Sequence, residues 1–151
     1  MYPLITEIHF IRGINVAAMV RRMVEHLPPS VLEGLKEITL LNTHEEYFGR
    51  YIKEEGRIEL YVGDIVGWQP WILKKTYFFP YLCIGIELGI GLEQHVYYRT
   101  VNNGKEYRPN YPFMYIYPSL GIFKVIIKPI LYMVKLYYSL KRRFHKNGRE
   151  K

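Results

Sequence analysis

Arg57-Ile58-Glu59-Leu60-Tyr61-Val62 alternates apolar and polar side chains. After a connector containing Gly and Pro (Asp64 to Trp71) comes Leu82-Cys83-Ile84-Gly85-Ile86-Glu87-Leu88-Gly89-Ile90-Gly91-Leu92, which is uncharged except at Glu87. Alternation with a period of two predicts a strand that buries Ile58, Leu60 and Val62 on one face. A segment that is apolar on all sides predicts the central buried helix of a small domain, here over Leu73 to Arg99 with Pro80 near its start. A short strand feeding a buried helix is the nucleus of an α+β fold.

Upstream of this pair, Tyr47 to Ile52 alternates weakly, and Glu54-Glu55-Gly56 separates it from Arg57 as a tight turn, so the two runs form a hairpin. Lys36 to Leu41 supplies another strand, and Ile5 to Ile11 one at an edge. Ile14 to Leu27 places Ile14, Ala17, Ala18, Met19, Val20, Met23, Val24 and Leu27 near helical spacing, with Asn15 as its cap and Pro28-Pro29 as its stop. Ser30 to Leu35 adds a short turn closed by Gly34. Downstream, Asn102-Asn103-Gly104 is a turn, Pro109, Pro112 and Pro118 break longer structure, and a last helix runs from Ser119 to Phe144 with an interruption at Pro129. The expected architecture is α+β: a small antiparallel sheet on a long central helix over residues 1–118, then a basic amphipathic C-terminal helix and tail over 119–151.

The 151 residues are 49% hydrophobic and 23% charged, a globular composition sufficient for one core. A single cysteine, Cys83, excludes an internal disulfide and fits a reducing, cytoplasmic compartment. No leader is read at Met1 to Phe10, and no stretch reaches the roughly 18 apolar residues of a membrane span. Thr76 to Ile86 stops at Glu87, and Pro109 to Phe123 is broken by prolines. The expected protein is soluble or membrane-peripheral.

The order of helix, Pro-rich break, short strands and long apolar helix resembles the small zincin-like metallopeptidases. The resemblance covers about residues 14 to 100. In that family the strand matched by Arg57 to Val62 is the edge strand bordering the cleft, and the next helix carries His-Glu-x-x-His. Here the matching residues read Ile86-Glu87-Leu88-Gly89-Ile90. Two histidines one turn apart grip zinc together, and the glutamate beside the first activates the metal-bound water. Glu87 falls on the glutamate position, whereas Ile86 and Ile90 fall on the ligand positions and have no donor atom. The downstream region that supplies a third ligand in the family holds only Glu106 between Asn102 and Pro112. The resemblance therefore implies a metal-free pseudoenzyme with no cofactor. Ile86, Ile90 and His95 line what remains of the cleft, and Glu87 is either a remnant general base or a half-buried carboxylate paired with Arg57, Lys74, Lys75 or Arg99. The second reading is preferred, because a base without metal or electrophile has nothing to act on. His95 lies two helical turns from Glu87, about 12 Å along the axis, too far to share a proton. It is expected to be a surface or packing histidine.

Other motifs are incomplete. His44-Glu45-Glu46 begins like a zinc helix but meets Phe48 where the second histidine belongs. Gly85-x-x-x-Gly89 reads as a close helix contact, and Gly89-x-Gly91 lacks the strand and lysine of a phosphate loop.

The chain carries a net charge of +7. From Lys124 onward nine cations face the single acid Glu150, a net of +8, so the rest of the chain is nearly neutral. Lys124, Lys128, Lys135 and Arg142 are spaced to share a helical face, and Lys141-Arg142-Arg143 form a cluster among Ile, Leu, Val and Tyr residues. This pattern suits an anionic membrane surface, with lysine stems snorkelling above a sunken apolar face. The same stripe suits packing on its own domain or a homo-oligomer. Nucleic acid ranks third, because no recognition motif accompanies the charge. The functional expectation is a non-catalytic metallopeptidase-like protein that binds at a membrane surface or in an oligomer. The alternatives are a hydrolase whose site another chain completes and a nucleic-acid-binding accessory protein.

Overall fold

In the computed structural model, residues 2–8, 14–43, 48–63, 78–109, 113–125, 128–129 and 132 are described. Strand β1 (Leu4–Ile8) leads to helix α1 (Val16–Glu25), the short α2 (Pro29–Leu32), and strands β2 (Glu37–Leu41), β3 (Gly49–Ile52) and β4 (Arg57–Tyr61). Helix α3 (Phe78–Asn102) follows, then the one-turn α4 (Phe113–Ile116) and a 3-10 segment over Tyr117–Phe123.

Local chemistry sets the boundaries. The Asn15 side chain accepts the Ala18 amide at 2.9 Å, which satisfies one of the free donors at the start of α1. Met19, Val20, Met23 and Val24 are buried as the spacing predicts, Val16 joins them, and Ala18, expected on the stripe, is exposed. Pro28 is extended and Pro29 opens α2, as expected where an amide is not needed. Gly34 and Gly56 close their turns at φ of 83° and 64°, conformations that cost other residues about 1 kcal/mol or more.

The sheet differs from expectation in two ways. Its order is β1-β2-β4-β3, and β1–β2 and β2–β4 are parallel pairs, so only the β3–β4 hairpin is antiparallel. The reason is connectivity. A crossover through α1 and α2 returns the chain to the end where β1 began, and only parallel pairing is then open to β2. Strand β4 is also not an edge strand. Four of its five residues are buried, and it lies between β2 and β3, leaving the half-buried β3 outermost.

Ile38, Leu40, Ile58 and Leu60 make the core face of the sheet. Helix α3 packs on β3 and β4, and α1 packs on α3 and β1. Close approach requires glycine. A Cβ on Gly91 would sit 2.7 Å from Ile58 Cγ2, and one on Gly85 2.6 Å from Ile116 Cγ2. Behind α3, the Tyr81 hydroxyl donates to Ser119 Oγ at 2.6 Å, and Ser119 donates onward to the Ile116 carbonyl at 2.7 Å.

The chain forms two compact units, Met1–Ser119 and Leu120–Lys151. The helix expected from Ser119 does not run unbroken: Gly121 takes φ 57° and ψ −129°, outside helical space. The described residues beyond Phe123, including Pro129, are helical. Among the described residues no helix is long and apolar enough to cross a membrane.

Candidate functional site along the long helix

Helix α3 presents Ile86, Glu87 and Ile90 half buried, while Ile84, Leu88 and Leu92 enter the core. Burial raises the Glu87 carboxyl above the ordinary carboxylate range. One turn earlier, burial and then the Glu87 charge push up the Cys83 thiol. Two of the four partners expected for Glu87 are engaged elsewhere. Arg57 pairs with Glu55 at 2.9 Å and Glu59 at 2.8 Å, and Arg99 reaches Glu33. Lys74 and Lys75 lie outside the described residues. Among the described residues no ion pair involves Glu87.

Edge strand β3 runs close beside this helix. A Cβ on Gly49 would stand 3.4 Å from the Glu87 carbonyl oxygen. The Tyr61 amide donates to the Phe48 carbonyl at 2.9 Å, so antiparallel alternation turns the Gly49 and Tyr51 amides away from β4. The Tyr51 amide is taken by Gln94 Oε1 of α3 at 3.0 Å. One outward donor of edge strand β3 is therefore occupied by a side chain of α3.

His95 belongs to a different neighbourhood. It is 2% exposed, and its Nε2 donates to the Glu33 carbonyl at 3.1 Å. The Tyr51 ring stands edge-on at 5.1 Å between centroids. Burial depresses the imidazole pKa, partly offset by the Glu33 carbonyl, and the Arg99 charge depresses it further. The structure thus sets the Glu87 backbone near Gly49 of β3, leaves Ile86 and Ile90 half buried on the same helix, and packs His95 between the α2–β2 turn and Tyr51 of β3.

Two groupings were not read from sequence. Glu59, with an 8% exposed side chain, accepts from Arg50 Nε, Arg57 Nη2 and Tyr61 Oη, each at 2.8 Å. Burial alone would raise this carboxyl, but the Arg50 and Tyr61 hydrogen bonds and the two guanidinium charges outweigh it and hold it low. A signal existed: the Glu54-Glu55-Gly56 turn sets Arg50 opposite Glu59. The second grouping is a chain of ring contacts from Tyr51 through Tyr98 and Tyr97 to Tyr107.

Lys128 is exposed, Lys124 is half buried, and Val125 and Tyr132 are 78% and 69% exposed. Lys135, Lys141, Arg142 and Arg143 lie outside the described residues, as do His44, Glu45 and Glu46. Open grooves of about 460 Å³ and 410 Å³ both include Tyr2, and neither is lined by Glu87. Among the described residues no three His, Cys, Asp or Glu side chains converge to hold a metal ion. Compared with models of known families, with curated proteins and with solved structures, the chain has no match in any of the three.

Proposed function

We propose that this protein is a non-catalytic relative of the zincin-like metallopeptidases that acts by binding, at an anionic membrane surface. The carrying observation is the disposition of Ile86, Glu87 and Ile90. All three are half buried on α3, at the positions that the resemblance matches to its zinc helix, and the Glu87 carbonyl oxygen lies 3.4 Å from the Cβ position of Gly49 on β3. Zinc needs three protein ligands there, and the two isoleucines offer no donor. The residues present do not fit the metal, so hydrolysis through a metal-bound water has no support in this chain. The Gln94 side chain on the Tyr51 amide also favours a closed rather than a substrate-receiving edge.

The membrane part of the reading rests on the basic segment from Lys124 onward and on the exposed apolar surfaces of Val125 and Tyr132 beside exposed Lys128. Elemental analysis of protein purified without tag or chelator tests the metal-free reading. Zinc is expected at trace level, with none taken up on titration. One equivalent of bound zinc would overturn the proposal and point to a site completed by a second chain.

A further inference from the structure

We propose that His95 and Arg99 form an acid-sensitive latch that clamps the α2–β2 turn to the end of α3, closed at neutral pH and released below it. Helix α2 has four residues and no side-chain cap, so it cannot hold its own geometry. The clamp comes from α3. The Glu33 carbonyl receives two donors, His95 Nε2 at 3.1 Å and Arg99 Nη1 at 2.8 Å, and Arg99 Nη2 donates to the Ser30 carbonyl. Gly34 packs against the ring, with its Cβ position 3.9 Å from His95 Cε1.

The geometry selects one protonation state. A carbonyl only accepts, so Nε2 carries the hydrogen in the neutral ring and Nδ1 carries the lone pair. Nδ1 is buried and has no partner among the described residues. A second proton would place an N–H on Nδ1 with no acceptor, inside a site 2% exposed. The surrounding charges do not rescue it. Arg99 on the same helix is a cation. Tyr51 of β3 is a neutral phenol whose own ionisation is pushed up by burial and by Glu54. The Glu33 carboxylate is 78% exposed and already 3.6 Å from Arg99. Lys53, over the Tyr98 ring at 5.4 Å, is a cation and offers no acceptor. An imidazolium must therefore leave the site, and with it goes one of the two donors on the turn.

The direction with pH follows. The folded-state pKa lies below the unfolded value of about 6.5, so the latch contributes fully above that value. Its contribution is lost as pH falls from there through the folded pKa. The released turn carries Pro29, Ser30, Leu32 and Glu33, which line the groove of about 460 Å³ with Tyr2, so acid reshapes that groove.

Amide hydrogen exchange on the full chain between pH 7.5 and 5, corrected for intrinsic rates, tests this. The probes are Val31 and Leu35, whose amides donate to Pro28 and Leu32 within the turn. Their protection should fall by up to about tenfold per pH unit below the unfolded histidine value, while the β4 amides hold. His95→Gln keeps an N–H aimed at Glu33 but does not titrate, and its protection should stay flat with pH. Flat protection in the unaltered chain overturns the latch, as does an unchanged pH response in His95→Gln or parallel loss at β4. If the variant fails to fold, an NMR titration of the His95 ring decides, since a midpoint at or above the ordinary value also overturns it.

Discussion

Burial penalises the charged form of Glu87. The residue is half buried on α3, burial raises its pKa, and no ion pair relieves it among the described residues. A carboxyl whose folded pKa is raised contributes stability below its unfolded value of about 4.3 and loses it as pH rises through the folded value. At neutral pH the charge is a cost, though a small one, because solvent screens a half-exposed head. Glu87→Gln should therefore raise stability at pH 7 by less than about 1 kcal/mol, a gain that vanishes near pH 4. Urea midpoints at the two pH values measure it. A loss of more than about 1 kcal/mol at pH 7 would mean that a partner holds the carboxylate. Side-chain chemistry was the most legible layer of this sequence. That Ile86 and Ile90 cannot bind zinc follows from their atoms alone. Where a polar residue goes was harder to read. Glu59 occupies the outward position of an alternating strand, which ordinarily means solvent, yet Arg50, Arg57 and Tyr61 enclose it. His95 was read as lining the cleft and as a surface or packing residue, and its hydrogen bond was not read, because its partner is the Glu33 backbone carbonyl 62 residues away.

At the scale of elements, α3 shows glycine serving contact rather than flexibility. Alanine for Gly91 would gain about 1 kcal/mol of helix propensity. The added methyl would meet Ile58 Cγ2 at 2.7 Å and two further carbons of the same side chain at 3.3 Å. Ile58 is fully buried on β4 and cannot swing aside, and overpacking of this kind costs about 1–3 kcal/mol. Gly91→Ala is thus expected to destabilise the domain on balance. Ile58→Ala alone should cost about 2–5 kcal/mol through the cavity it leaves. In the double variant the new methyl occupies part of that cavity, so the pair should cost less than the sum by at least about 0.5 kcal/mol. Strict additivity in a denaturation cycle would show that α3 and β4 do not meet at this point. Most element positions were legible because their causes are local, such as the Asn15 cap, the Pro28-Pro29 stop and the Gly56 turn. Pairing sense is not local. Whether β2 runs with or against β1 depends on the path through α1 and α2, and alternation in either strand carries no trace of that path.

At the scale of the whole chain, charge and core are segregated. The unit Met1–Ser119 contains the sheet and the long helix, and the strong positive charge begins after it, at Lys124. The tail's charge was legible by counting, but its partner was not, because membrane and nucleic acid present the same phosphate charge to a lysine. What favours a bilayer is the apolar component: Val125 and Tyr132 stand exposed, at a spacing that shares a helical face with Lys128. Full-length protein should float with vesicles rich in phosphatidylserine and not with purely zwitterionic ones. Each basic residue near an anionic surface contributes about 1 kcal/mol, so replacing Lys141, Arg142 and Arg143 with glutamine should weaken binding by roughly a hundredfold. The loss should shrink at high salt as screening shortens the reach of the same charges. Tyr132→Ser should weaken binding at every salt concentration, because it removes buried apolar area rather than charge. Equal flotation with zwitterionic vesicles would assign the affinity to the apolar face alone. Failure to float, with salt-sensitive retention on single-stranded nucleic acid, would transfer the basic segment to the other polyanion and overturn the membrane reading.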